Sequence, residues 1–271
     1  MKPVAFDYVR PRDLDSALAA LREGGETCRV LAGGQSLGPM LNLRLARPAL
    51  VVDINRIGEL RGVERRGDAW HVGATTTHAM LEDGAGGIGG MLRSVARGIA
   101  YRAVRNRGTV GGSLAHADPA GDWPLALAAL GALATLRRGR ETREVECASL
   151  ASGAFSTCLA SDEILVSVRI PEGSLQARWG YAKACRKAGE LAEAAAAVVI
   201  DPAQRHSRVV LGALGRPARI LEEATTLLAP AAARDLSRLQ SAVAAAAPEL
   251  DAIEVRMQAG TLARALRQAL S

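Results

Sequence analysis

The sequence predicts an α+β protein, and three features of its 271 residues indicate this class. Near the N-terminus, residues 29–54 have the pattern of a strand, a short helix and a second strand. Residues 132–147 alternate like a hairpin folded about Arg138-Gly-Arg-Glu. After residue 177, three strand-like segments are followed by three helix-like segments. That order is typical of an antiparallel sheet with helices on one side.

Composition and charge argue against nucleic-acid and membrane proteins. The formal charge is +6, but the 34 basic residues are scattered, and aromatic residues make up only 3% of the chain. Nucleic-acid binding would require a basic stripe with aromatic side chains for base stacking. No apolar run reaches the roughly 20 residues of a membrane span, and the N-terminus lacks the apolar core of a signal peptide. We therefore expect a cytoplasmic protein.

The four cysteines predict structural thiols rather than a metal centre. Cys28, Cys147, Cys158 and Cys185 are far apart, without a C-x-x-C pair or a tight grouping with histidine. Zinc sites and iron–sulfur clusters require such groupings. The sequence therefore predicts no metal site in this chain.

The N-terminal unit is justified by its caps and its apolar spacing. Asp13 precedes leucines at helical spacing, and this helix should end near Gly24-Gly25. A buried strand over 29–32 then runs into a glycine-rich turn. Pro39 can start a short helix over 39–46, because its missing N–H is harmless in a first turn. Residues 50–54 form the next strand.

The remaining elements follow from similar signals. Strands are predicted over 69–74 and 163–171, and helices after Thr76-Thr77, over 91–103 and over 125–130. In the C-terminal region, the segments near 179–185, 194–200 and 207–214 are interpreted as strands, or as strands mixed with a helix. Helices should cover 218–228, 231–246 and 253–270.

Two glycine-rich turns are the strongest functional signal. The turns are Ala32-Gly-Gly-Gln-Ser-Leu-Gly38 and, about seventy residues later, Thr109-Val-Gly-Gly-Ser113. Adjacent glycines leave backbone N–H groups bare to an anion, and the hydroxyls of Thr109 and Ser113 can add hydrogen bonds. The sequence therefore predicts that the two turns hold one diphosphate from two sides.

Two other classes of enzyme have motifs that partly match the first turn. Gly34-Gln-Ser-Leu-Gly38 matches the G-x-S-x-G pattern of serine hydrolases, with Ser36 as nucleophile. Two observations argue against a hydrolase. Only about thirty residues precede Ser36, and His206 is the one histidine that lies late enough to act as the base in a Ser…Asp…His order. The phosphate loop of phosphoryl-transfer enzymes fails, because Pro39 and Met40 stand where Lys and Ser/Thr are required.

Further motifs are interpreted as local structure. The formal G-x-G-x-x-G at Gly84, Gly86 and Gly89 follows a helical segment where a dinucleotide fingerprint requires a strand, so we predict a surface connection. His116 and Asp118 are assigned to a turn, since Asp-Pro and Gly-Asp pairs are typical of turns. A ligand role is reserved for Asp122.

Five motifs, in order along the chain, resemble a known family. They are Ala32-Gly-Gly-Gln-Ser-Leu, Arg105-Asn-Arg-Gly-Thr-Val-Gly-Gly-Ser, Ala115-His-Ala-Asp-Pro-Ala-Gly-Asp, Glu163-Ile-Leu and Tyr181-Ala-Lys-Ala-Cys-Arg-Lys. The set resembles the FAD-binding medium subunits of molybdenum hydroxylases, in particular those of carbon monoxide dehydrogenases. The resemblance extends from Met1 to about Leu214, and Gly215-Arg-Pro-Ala-Arg is similar to the start of the family's C-terminal domain.

The resemblance implies an FAD-binding fold like that of vanillyl-alcohol oxidase. Two α/β subdomains, 1–57 and 58–173, would be followed by a C-terminal α+β domain over 174–271. In the family, the two turns hold the diphosphate and ribityl chain, one Asp contacts a polar group, and a Leu and a Lys lie around the rings. The FAD-binding residues implied here are Leu31, Ala32, Gly33, Gly34, Gln35, Ser36, Leu37, Gly38, Thr109, Gly111, Gly112, Ser113, Asp122, Leu165 and Lys183.

Two positions depart from the family pattern. Glu190-Leu191 stands where relatives often have Asp followed by an aromatic residue, and Ser113 stands where Asn is frequent. Neither change removes the predicted diphosphate contacts. They affect expectations about the flavin's potential and its preferred acceptor.

The implied function is electron transfer within a complex. The resemblance implies a molybdopterin-binding large subunit, a [2Fe–2S] small subunit and a dimer of heterotrimers, with FAD here passing electrons to an external acceptor. A stand-alone FAD-dependent oxidoreductase of related fold is the alternative, although the roughly hundred residues after Pro171 are few for a substrate domain. The substrate and the acceptor stay open.

Overall fold

The computed structural model describes residues 2–201, 206–222 and 224–271, and its N-terminal part is a small parallel sheet. Asp13 caps the first helix by accepting the Ser16 N–H at 2.8 Å, and the apolar face of this helix is buried, as predicted. The strands are ordered β1-β3-β2 and run parallel. The elements are β1 (Asp7–Val9), α1 (Leu14–Gly24), β2 (Cys28–Leu31), α2 (Leu37–Asn42) and β3 (Leu50–Asp53).

The middle region is built on a five-stranded antiparallel sheet in the order β4-β5-β10-β6-β7. Helices cover it, and the fully buried Trp123 lies in their shared core. The elements are β4 (Val63–Arg66), β5 (Ala69–Gly73), α3 (His78–Glu82), α4 (Gly90–Arg97), α5 (Arg102–Arg105), α6 (Val110–His116), α7 (Asp122–Ala129), β6 (Leu133–Arg138), β7 (Glu141–Glu146), α8 (Cys147–Leu150), β8 (Ala151–Gly153), β9 (Ser156–Thr157), β10 (Ile164–Pro171) and α9 (Glu172–Gln176).

The C-terminal region is a four-stranded antiparallel sheet in the order β11-β12-β13-β14. Every residue of β12 is buried, because alternate side chains enter two cores. One core is shared with the middle region, and the other lies under the C-terminal helices. The elements are β11 (Arg178–Ala184), β12 (Ala194–Asp201), β13 (His206–Gly212), β14 (Arg219–Ile220), α10 (Ala224–Leu227), α11 (Leu236–Ala246) and α12 (Ala252–Leu270).

Most predicted elements are confirmed, but several helices are wrong in extent. The helix predicted over 39–46 spans Leu37–Asn42, so Pro39 lies inside it and does not start it. The helix predicted over 91–103 breaks after Arg97, and Ala100 adopts a positive φ of 42°. Within 218–228, Arg219–Ile220 pairs with β13 as an edge strand, and only α10 is helical; Glu223 lies outside the described residues. The helix predicted over 231–246 begins at Leu236. Strand pairing at residue 219 overrides the local helical pattern.

The three large sheets fall within the three ranges expected as domains. The first sheet lies inside 1–57, the second inside 58–173 and the third inside 174–271. The limits at 57 and 173 stay a proposal for the domain boundaries. Among the described residues, no helix combines the length and the apolar character needed to cross a bilayer.

Candidate cofactor-binding site

The two predicted glycine turns are in direct contact. A Cβ atom added to Gly33 would lie 2.3 Å from the Arg107 carbonyl oxygen and 2.8 Å from the Gly108 Cα. A Cβ on Gly112 would lie 3.6 Å from the Ala32 Cβ. Gly33 has no positive φ, so glycine is required there for close approach rather than for backbone conformation. The fold therefore unites the two turns in one site.

The first turn presents a run of free backbone donors. Within the described chain, the N–H groups of the five consecutive residues Gly33–Leu37 have no protein acceptor. Gly34 adopts a φ of 71°, a left-handed conformation that glycine takes without strain. Unpaired N–H groups that follow one another in a turn of this kind bind anionic oxygens. The first turn therefore fits a diphosphate.

Asn55 holds the first turn from the adjacent strand. Its Nδ2 donates to the Ala32 carbonyl oxygen at 2.6 Å and to the Asp53 carboxylate at 2.7 Å. Asp53 is buried, accepts hydrogen bonds from Tyr8 and from the Asn55 N–H, and pairs with Arg10 at 3.2 Å. Burial raises the pKa of Asp53, but these hydrogen bonds and the Arg10 charge outweigh it and leave the pKa lowered. Asp53 therefore stays ionised and orients Asn55.

Asn55 was missed by the sequence analysis, although a signal for it existed. The strands β2 and β3 are parallel, so their carboxyl ends lie at the same edge of the sheet. Ala32 follows β2, Asp53 is the last residue of β3, and Asn55 lies two residues beyond it. A polar pair at the end of the neighbouring strand could have been assigned to the support of the turn.

The second turn differs, because its backbone donors are already used. We expected free N–H groups between Thr109 and Ser113, and this prediction is wrong. The segment is the first turn of α6, capped by the Thr109 hydroxyl and laid against residues 74–76. The acceptors are Thr76 O for Val110 (3.1 Å), Ala74 O for Gly111 (2.9 Å), Thr109 Oγ1 for Gly112 (3.1 Å) and Thr109 O for Ser113 (3.0 Å).

Asp122 and Lys183 lie together in a buried network. The Lys183 Nζ contacts the two Asp122 carboxylate oxygens at 2.9 and 3.2 Å and donates to the Gly98 carbonyl oxygen at 3.0 Å. The Tyr181 hydroxyl donates to Asp122 at 2.6 Å. Burial raises the pKa of Asp122, opposed by Lys183 and Tyr181, and burial beside Asp122 raises the pKa of Tyr181 well above its ordinary value.

This network joins α7 to β11 with partners that the chain itself provides. The carboxylate of Asp122 and the ammonium of Lys183 are 6% and 11% exposed, so each is neutralised mainly by the other. Their roles at the cofactor stay predictions. Leu165 also stays a predicted contact: it lies in β10 opposite Leu136 and is buried in the core of the middle region.

The residues assigned to a local turn behave as predicted. The Asp118 carboxylate accepts the Ala120 N–H at 2.9 Å, and the Gly121 N–H donates to the Asp118 carbonyl oxygen at 2.9 Å. His116 ends α6, with its ring centroid 5.2 Å from that of Phe155. The Gly84–Gly90 segment follows helix α3 and lies mostly at the surface, anchored by the buried Ile88.

A buried histidine below the second turn was not singled out in the sequence. His78 starts α3 and is 5% exposed; its Nδ1 accepts the Trp123 indole N–H at 2.9 Å. Burial, with a smaller contribution from Arg105, lowers its pKa to about 4. His78 is therefore neutral at pH 7. Its Nε2 lies 2.6 Å from the position of a Cβ added to Gly108.

Among the described side chains, Ser36 lacks the partner that a serine hydrolase requires. Ser36 is exposed at the start of α2, and its hydroxyl has no hydrogen bond to a histidine among the described side chains. The side chain of His206 lies outside the described part. In that part, no three His, Cys, Asp or Glu side chains are grouped as metal ligands.

The fold and the site define a protein that binds a diphosphate-bearing cofactor. Among the described residues, free N–H groups follow a strand of a parallel sheet. The backbone that leads into the second glycine turn packs against them, with the Gly108 Cα 2.8 Å from the position of a Cβ added to Gly33. A family model described as the FAD-binding domain in molybdopterin dehydrogenase matches residues 4–173. This match covers the first two sheets and both turns.

Several relatives agree with the family model. The caffeine dehydrogenase subunit beta of Pseudomonas sp. is 38% identical over 79% of this chain and 75% of its own length. The nicotine 6-hydroxylase medium subunit of Paenarthrobacter nicotinovorans is 38% identical over 81% of this chain and 79% of its own. Carbon monoxide dehydrogenase from Hydrogenophaga pseudoflava contains a chain that superposes with a TM-score of 0.91 at 32% identity, covering 99% of this chain and 98% of that one.

The chain belongs to the family of FAD-binding medium subunits of molybdenum hydroxylases. Its cofactor is FAD, and it is a component of an oxidoreductase. The predicted α+β FAD-binding fold is confirmed.

Proposed function

We propose that this chain is the electron-transfer subunit of a heterotrimeric molybdenum hydroxylase. The observation that carries the proposal is the run of five free N–H groups at Gly33–Leu37, packed against a second glycine turn in a chain of this family. Bound FAD supplies the exchange of electrons singly or in pairs, which suits a junction between one-electron clusters and an external acceptor. The protein's part is to bind and orient the cofactor.

The residues of the first turn carry most of the proposed binding. The N–H groups of Gly33–Leu37 would donate to the diphosphate, and Asn55 holds the Ala32 carbonyl oxygen in a hydrogen bond beside them. From the second turn, the hydroxyls of Thr109 and Ser113 would add contacts, while Gly111 and Gly112 leave space. Leu31, Ala32 and Gly38 belong with the first turn at the diphosphate and the ribityl chain. Asp122 would contact a polar group of the cofactor, and Leu165 and Lys183 would lie around the flavin or the adenine.

The partners belong to the same proposal. Substrate would be hydroxylated on a molybdopterin-binding large subunit, and electrons would reach this chain through the [2Fe–2S] clusters of a small subunit. The relatives are themselves named as subunits or medium chains of dehydrogenases and hydroxylases, which supports a multi-subunit complex. Assembly as a dimer of heterotrimers and a cytoplasmic location stay predictions.

Purification with FAD is the first test of this function. The full-length chain should be yellow, with about one FAD per chain as expected of a single site. Colourless protein that takes up no FAD would contradict every flavin-based function.

Reconstitution separates the proposal from its alternative. The flavin should be reduced by substrate only after the large and small subunits are added. Reduction by a substrate with this chain alone would instead support a stand-alone oxidoreductase.

A further inference from the structure

Four residues form a stack that leads from the helical core to the first turn. Trp123 lies in α7, the His78 ring packs beside it, Gly108 covers the edge of that ring, and Gly33 contacts Gly108 from the far side. The stack therefore connects the first turn to Trp123, the largest of the fully buried side chains. Of these four residues, only Gly33 was predicted from the sequence to bind the cofactor.

The orientation of the His78 ring is set by Trp123. An indole N–H can only donate, so the Nδ1 atom that receives it at 2.9 Å must be unprotonated. The proton of the neutral ring therefore lies on Nε2. This directional bond fixes the plane of the ring and directs its Nε2–Cδ2 edge toward Gly108.

That edge sets the position of the second turn. A Cβ on Gly108 would lie 2.6 Å from Nε2 and 2.8 Å from Cδ2 of His78. The His78 N–H also donates to the Gly108 carbonyl oxygen at 2.9 Å, so the ring and the backbone hold the same residue. Gly108 has no positive φ, so glycine is required there for close approach, with the His78 ring as the nearest group and the Val104 carbonyl oxygen next at 3.3 Å.

Packing alone would favour a different side chain at position 78. The ring is 5% exposed, and its Nε2–H has no acceptor among the residues that the structure describes. A buried unpaired donor costs free energy, whereas an apolar side chain of similar size would fill the space without this cost. The advantage of histidine is the oriented bond to Trp123, which an apolar ring lacks.

We propose that His78 is a positioning residue for FAD, which acts through Gly108 to set the distance between the two glycine turns. The inference rests on the proposed FAD function. If His78 moves away from Gly108, the Arg107–Gly108 backbone can shift, and Gly33 loses the surface against which the first turn is held. The free N–H groups of Gly33–Leu37 would then no longer converge on one diphosphate.

A double-mutant cycle tests the contact between His78 and Gly108. The full-length variants are Gly108→Ala, His78→Asn and the double variant, and the measurement is the Kd for FAD of apoprotein by titration calorimetry. An Asn side chain can still accept the Trp123 N–H through Oδ1, and it lacks the Nε2 atom that lies nearest to Gly108, while its Nδ2 stands near the position of Cδ2. Gly58→Ala serves as control, because a Cβ there meets nothing within 4 Å and its φ is not positive.

We expect Gly108→Ala to weaken FAD binding by about tenfold or more in the wild-type background. In the His78→Asn background the shortest contact of the added methyl, 2.6 Å to Nε2, is removed and the shorter amide can turn aside, so the same change should cost about threefold or less. The double variant should bind FAD more tightly than Gly108→Ala alone, an effect that a purely structural role of either residue would not produce. Circular dichroism and thermal melting of the apoproteins monitor the fold.

Two results would overturn the inference while leaving the proposed function intact. One is equal damage by Gly108→Ala in both backgrounds, with wild-type protein binding FAD normally. The other is unchanged FAD affinity in Gly108→Ala itself, which tests the inference even if His78→Asn does not fold. Absence of FAD binding by the wild-type protein would instead contradict the proposed function.

Discussion

The first and second glycine turns have similar sequences but opposite hydrogen bonding. Gly33–Leu37 leaves five consecutive N–H groups without a protein acceptor among the described residues, whereas Val110–Ser113 has an acceptor for every one. The first turn can therefore bind an anion directly. The second serves as a capped, rigid surface against which the first is pressed. Paired glycines in a sequence thus indicate either exposed donors or close packing, and only the neighbouring backbone decides between them.

The largest expected effect comes from separating the two turns. In Gly33→Ala the new methyl would lie 2.3 Å from the Arg107 carbonyl oxygen. Because the clash is with backbone atoms, relieving it requires the two turns to move apart. We expect the purified variant to contain no FAD and to take up none on titration. Gly58→Ala should keep wild-type FAD content; a yellow Gly33→Ala protein would show that contact between the turns is not required.

Gly112→Val tests the second turn. Its Cβ would lie 2.7 Å from Thr109 Oγ1, so the variant should lose the cap of α6 and the space beside Ala32. We expect FAD to be lost while far-ultraviolet circular dichroism retains the native fold. Stoichiometric FAD in this variant would mean that the second turn is not part of the site.

Lys183→Met distinguishes structural support from cofactor contact. The substitution leaves the buried Asp122 carboxylate without its counter-ion, which should lower the free energy of unfolding of the apoprotein by about 3–5 kcal/mol. Chemical denaturation measures this loss, with the exposed Lys187→Met as control. An apoprotein of unchanged stability but weakened FAD affinity would instead assign Lys183 to the cofactor.

The burial of His78 makes stability dependent on pH. His78 titrates near 4 in the folded chain and near its ordinary 6.5 when unfolded, so the unfolded state binds the extra proton between these values. The free energy of unfolding should therefore fall by about 3 kcal/mol as pH decreases from 6.5 to 4. Denaturant titrations of wild type and His78→Asn at several pH values isolate this contribution. Equal slopes in the two proteins would contradict it.

Loss of the Asn55 side chain, which supports the first turn, should have a smaller effect on FAD affinity. Asn55→Ala removes the 2.6 Å hydrogen bond to the Ala32 carbonyl oxygen. We expect about a tenfold loss of FAD affinity, from a buried hydrogen bond worth about 1–1.5 kcal/mol. Asn42→Ala, at an exposed amide that ends α2, should have no effect. Equal affinity in the two variants would show that the turn is held without Asn55.

Much of the fold was predictable because its signals are local. The Asp13 cap, the hairpin about Arg138 and the run of buried β12 residues depend on neighbours in sequence. The segment at Arg219 was predicted wrongly, since its conformation depends on pairing with β13. Asn55 and His78 were missed for a related reason: each acts on a residue distant in sequence, and neither belongs to a recognisable motif.

The sequence by itself determined that two glycine-rich turns exist, that five motifs occur in a family's order and that the protein is α+β. Those properties are local, because turn chemistry and apolar spacing depend on residue types over a few positions. Only the tertiary structure decided which turn has free donors and which is already bonded. Hydrogen bonding of the second turn depends on residues 74–76, which pack against it from more than thirty positions away. Packing over that separation leaves no local pattern in the chain.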